Sequence, residues 1–296
     1  MFYSDESVND LLQYSKSMVD DIASKKTKQN DFLVEQYLIF AGMVAYYGFE
    51  HINAIYKAFQ NTAFIDNLGD VSSFVDNLDM NHRYPAFCQS DIRNIGGRYF
   101  IDKSIHYFSR QNAYDSYQMF MEELLHEVNH CVNSSISPIC KRDTKMLYRT
   151  GLYLSSVTNS RDKEALALEE GINTLQTAEI MKLIVGFSQY NIDNPTIRCA
   201  LDRLKNVKVN DFGIGYEEVT LILSPLYRNK EFYHLVREGR ITGGIKEIRE
   251  DFDSRVGPGA YFEFADAVDH SMIGDNYRSG AREKVLTLAA QYINNK

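Results

Sequence analysis

Residues 120–131 read FMEELLHEVNHC, running from Phe120 to Cys131. Phe120, Met121, Leu124, Leu125, Val128 and Cys131 recur at three- and four-residue spacing, which predicts a helix with one broad apolar face. Glu123, His126, Glu127 and His130 fall on the opposite side. Such a helix buries its back and presents an H-E-x-x-H sequence outward. Residues i and i+4 are separated by roughly 6 Å of rise and about 40° of rotation, so two imidazoles so placed can converge on one ion. Zinc would sit about 2.0–2.1 Å from each ring nitrogen. Glu127 lies roughly 100° round from His126. There it stands beside the ion without ligating it, where a carboxylate can hold and deprotonate a bound water. With seven His in 296 residues, composition alone produces the motif somewhere with a probability of about 0.01.

Catalytic zinc takes three protein ligands and keeps a position for water. The residues after His130 are CVNSSISPIC, so the H-x-x-G-x-x-H continuation is missing and a metzincin arrangement is excluded. Downstream, residues 166–175 read LALEEGINTL, inside a helical pattern anchored by Leu168, Ile172, Leu175 and Met181. Glu170 sits off that apolar stripe. A carboxylate from this second helix, antiparallel to the first, completes a His₂Glu set. Glu169 is the alternative ligand if the helix is turned about its axis.

His126-Glu-Val-Asn-His130, followed 40 residues after its last His by Glu170-Gly171, resembles the gluzincin branch of zinc metallopeptidases. The resemblance covers about residues 98–180. It implies that His126, His130 and Glu170 are the zinc ligands and that Glu127 is the general base. The implied reaction is hydrolysis of a peptide bond by a Glu-activated, zinc-bound water. It also implies that a strand at Arg98–Ser109 is the edge along which an extended substrate lies. The Glu-Gly adjacency favours Glu170 over Glu169. Thermolysin-like members carry an Asp four residues after the ligand Glu, where this chain has Thr174. The group that orients a ligand His is then Asn173 or another residue. Tyr216, after the glycine turn Phe212-Gly213-Ile214-Gly215, resembles the oxyanion donor of some members.

Around this centre the chain is 44% hydrophobic and 24% charged, which is globular composition. Its net charge of −8 and lack of a basic cluster argue against a nucleic-acid partner. The residues from Met1 to Asp10 have no signal-peptide pattern. The longest apolar stretch, Tyr37 to Phe49, is 13 residues, short of the roughly 20 that span a bilayer. Four Cys at spacings unlike a disulfide framework or a CxxC knuckle read as free thiols in a reducing compartment. The expected location is cytoplasmic, with delivery as an effector by a signal-independent route left open, and no membrane partner.

Helical spacing covers Val8 to Ile22, about 32–59, 114–132, 162–186, 216–238 and 280–294. Asn67 to Asp70 reads as a turn and Val71 to Leu78 as a short helix. Tyr99, Ile101, Ile105 and Tyr107 share one parity within Arg98–Ser109, which predicts a half-buried strand. The expectation is an α+β fold, predominantly helical, with a zincin-like catalytic core and a small sheet. It divides into an N-terminal helical part at 1–80, a catalytic core at 81–187 and a C-terminal helical part at 188–296. The expected cofactor is Zn²⁺ and the expected substrate a peptide or protein, with no oligomeric state legible. The rival readings are a zinc hydrolase of a non-peptide amide and a non-catalytic zinc-stabilised interaction module. In the latter a fourth protein ligand closes the metal site.

Overall fold

The computed structural model describes residues 4–25, 32–65, 104–107, 117–138, 146–156, 163–213, 216–272 and 279–295. In chain order the first helices are α1 (Asp5–Lys25), α2 (Leu33–Tyr47), α3 (Ile52–Asn61) and α4 (Tyr117–Val132). They are followed by α5 (Leu166–Phe187), α6 (Pro195–Asp202), α7 (Glu217–Tyr227) and α8 (Lys230–Thr242). The last three are α9 (Ile245–Val256), α10 (Ala260–Met272) and α11 (Ser279–Asn294).

The expected α+β class, with a small sheet in a zincin-like core, is corrected: the fold is mostly helical. Architecture follows the elements that bury apolar surface, and here those are helices. Of the largest fully buried side chains, all but Phe64 lie on helices, among them Leu12, Phe40, Tyr47, Phe187, Phe232, Phe252 and Tyr292. Among the described residues, paired extended backbone comes in short hydrogen-bonded ladders. Within the expected strand at Arg98–Ser109, the described part is the four residues Ser104–Tyr107, parallel to Thr62–Ile65. Between α4 and α5, Ser134–Pro138, Met146–Thr150, Tyr153–Ser156 and Lys163–Glu164 pair antiparallel in sequence order. The expected turn at Asn67 to Asp70 and helix at Val71 to Leu78 lie outside the described residues.

The chain forms two compact units, residues 1–132 with 177–209, and residues 133–176 with 210–296. In the first, α2 is buried almost throughout, from Gln36 to Val44, as its unbroken apolar run requires. Its end is set by Gly48, whose φ of +99° suits a residue without Cβ. This is why the helical region expected at 32–59 becomes two helices joined by a 3-10 turn at Phe49–His51. Gly42 gives α2 its close approach to the later part of α5: a Cβ there would lie 2.6 Å from Ile184 Cγ1. The phenol of Tyr47 donates to Asn129 Oδ1 at 2.7 Å, so the end of α2 also anchors α4.

The second unit is built on α7 to α11 and the first part of α5. Leu168, Ile172, Val219, Leu223, Phe232, Phe252, Phe264, Val285 and Tyr292 belong to one buried cluster. Phe252 and Tyr292 stack with ring centroids 5.1 Å apart. The helical region expected at 216–238 is split between α7 and α8. Asn229 starts α8 by accepting hydrogen bonds from the backbone N–H of Glu231 and Phe232. Among the described residues, no helix is long and apolar enough to cross a membrane.

Candidate metal centre

The apolar face read from the sequence is the buried face of α4: Met121, Leu124, Leu125, Val128 and Cys131 are all buried. His126 is half-buried and His130 is buried. Their Nε2 atoms are 3.1 Å apart, with ring centroids 4.7 Å apart and planes at 84°. Two nitrogens bound tetrahedrally at 2.0–2.1 Å to one zinc are separated by about 3.3 Å, so the pair has the spacing that a shared ion needs. Glu170, half-buried on α5, completes the group. One ligand atom from each of His126, His130 and Glu170 lies within 4.8 Å of the other two. The donor set, two imidazoles and a carboxylate, suits a divalent transition ion with a position left for solvent.

The neighbouring Glu169 is occupied elsewhere. Its side chain is 1% exposed and forms an ion pair with the fully buried Arg240 of α8. Arg240 Nε donates to Glu169 Oε2 at 3.1 Å, and the N–H of Leu152 donates to the same oxygen at 2.8 Å. Gly151, with φ of +53°, lets the turn close over this carboxylate: a Cβ there would fall 2.1 Å from Oε2. The same guanidinium donates to Asn173 Oδ1 at 2.8 Å and to Gln176 Oε1. Asn173, expected as a partner of a ligand His, thus accepts from Arg240.

Thr174, at the position where thermolysin-like enzymes carry an Asp, spends its hydroxyl on the backbone oxygen of Glu170 at 2.8 Å. The start of α5 is held from α10. Asp269 Oδ1 accepts from the N–H of Ala167 at 2.6 Å, a carboxylate at the positive end of a helix. Burial pushes the Asp269 pKa up, and hydrogen bonds from the backbone at Ala167, Leu166, Ala165 and Leu168 oppose that rise.

Glu127 is half-buried and has no hydrogen bond or ion pair among the described residues. One turn before His126 on the same helix, Glu122 is buried, and desolvation raises its pKa against the opposing hydrogen bond from Gln118 at 2.6 Å. Tyr216 is half-buried at the N-terminus of α7. Val219 of α7 and Gly213 each approach α5 closely. A Cβ on Gly171 would lie 2.5 Å from Val219 Cγ1, and one on Gly213 would lie 2.4 Å from Thr174 Cγ2.

Sequence reading missed Arg240, which touches three residues of α5. The available signal was Glu169, Asn173 and Gln176, a polar stripe at helical spacing beside the apolar positions Leu168, Ile172 and Leu175. That stripe requires a buried partner. Compared with known proteins, the chain matches no protein family, no curated protein and no solved structure.

Proposed function

We propose that this protein is a zinc-dependent metallopeptidase. The observation that carries the reading is the convergence of His126, His130 and Glu170, with ligand atoms within 4.8 Å of one another and Glu127 next in sequence to a ligand. A zinc ion held there would supply Lewis acidity to a water and to a substrate carbonyl. His126 and His130 hold the ion as neutral imidazoles, and Glu170 lowers the net charge of the centre. Glu127 accepts the proton of the attacking water and passes it to the leaving amine. Its lack of a hydrogen bond or ion pair among the described residues leaves it available for both transfers. Tyr216, at the N-terminus of α7, is the proposed donor to the oxyanion of the tetrahedral intermediate.

A peptide or protein is the proposed substrate, and the net charge of −8 supports no nucleic-acid role. We propose a cytoplasmic location, a reading supported by the free thiol of Cys199.

Digestion of a peptide library tests the reading. Cleavage should appear with the zinc-loaded protein, disappear on chelation and return when zinc is restored. Cleavage that survives complete chelation, or none from the zinc-loaded protein, contradicts it.

A further inference from the structure

Glu169 and Glu170 stand side by side on α5 and face different partners. Glu169, Asn173 and Gln176 follow one another at spacings of four and three, so they form one stripe down the helix. All three accept hydrogen bonds from the guanidinium of Arg240. Arg240 and Glu169 are 0% and 1% exposed, so the network is closed to bulk solvent. A guanidinium is a rigid planar fork. Gripping acceptors at three heights on one helix resists both rotation about the helix axis and sliding along it. The Leu152 N–H fastens Glu169 from a second direction. Consecutive helical residues are turned about 100° apart, so a helix pinned at Glu169 has the direction of Glu170 pinned as well.

We infer that Arg240 is a positioning residue for the metal centre: by binding Glu169 it sets the rotation of α5, so that Glu170 is the carboxylate of the pair that meets His126 and His130. The inference rests on the metal-binding reading above. Without Arg240, Glu169 is a buried carboxylate without its cation. A divalent ion then becomes a competing partner for it, and the helix loses the fork that opposes turning.

The experiment measures zinc affinity by competition with a metallochromic chelator, together with the visible spectrum of the cobalt-substituted protein. Glu169→Gln/Arg240→Met removes both charges while keeping volume and an acceptor for Leu152. It is expected to stay folded by circular dichroism, to bind zinc about 10–100-fold more weakly than wild type, and to shift the cobalt bands. Arg240→Lys, which keeps the charge without the fork, should fall between the two. If the double variant is unfolded, Glu169→Gln alone supplies the same two readouts. A folded variant with wild-type zinc affinity and an unchanged cobalt spectrum overturns the positioning role and leaves the metal site standing. A wild-type protein that binds no zinc overturns the site itself, and the inference with it.

Discussion

Arg240→Ala is expected to lose about 3–5 kcal/mol of unfolding free energy, the cost of leaving one member of a buried ion pair alone. Both side chains are essentially inaccessible, at 0% and 1% exposure, so solvent cannot take over from the missing partner. The change also removes the hydrogen bonds that Asn173 and Gln176 accept and opens a void where, among the described residues, the largest fully buried side chain sat. Whole domains are stable by only about 5–15 kcal/mol, so this one truncation removes a large share. Denaturant unfolding of wild type and variant measures the difference. Replacing both charges, as in Glu169→Gln/Arg240→Met, should cost far less, because no charge is left unpaired. A loss below about 1 kcal/mol for Arg240→Ala would contradict the buried network.

Glu127→Gln is expected to lower kcat/KM on a cleaved peptide by about 10²–10⁴-fold, the usual contribution of general acid–base catalysis. The amide is close in shape to the carboxylate but can neither accept the water proton nor pass it on. Glu127 is not in the group whose ligand atoms converge, so zinc content should be unchanged. KM should change little if the carboxylate acts on the proton and not on substrate binding. Steady-state kinetics with parallel metal analysis separates these outcomes. Undiminished kcat contradicts the general-base role, and lost zinc would show that Glu127 holds the ion.

The helix around His126 and His130 was legible because its period of 3.6 is written in large apolar residues, and Met121, Leu124, Leu125, Val128 and Cys131 all turn inward. The half-buried place of Glu170 off the stripe of Leu168 and Ile172, both buried, follows from the same spacing. The preference for Glu170 over Glu169 rested on the Glu-Gly adjacency alone, whereas the partner of Glu169 in the structure, Arg240, lies 71 positions beyond it. Nothing local encodes so distant a contact.

The helical breaks at Gly48 and Asn229 were underread. In each case the apolar pattern continues across a single residue whose backbone or side chain ends one helix or starts the next. The helices Pro195–Asp202, Ile245–Val256 and Ala260–Met272 went unassigned individually. The first is short, and only Ile248 and Phe252 are buried in the second. The small sheet came from period-two spacing at Arg98–Ser109 together with a family resemblance, whereas the fold is mostly helical.

The central claim is that three side chains from α4 and α5 hold one divalent ion, and elemental analysis tests it directly. Wild-type protein dialysed against trace zinc should retain about one equivalent, as three protein ligands require. His126→Ala and Glu170→Ala, each checked for folding by circular dichroism, should retain almost none. Glu169→Gln should keep the metal at full loading, with only its affinity reduced. Wild-type protein without stoichiometric metal, or a folded Glu170→Ala variant that keeps a full equivalent, would contradict the account.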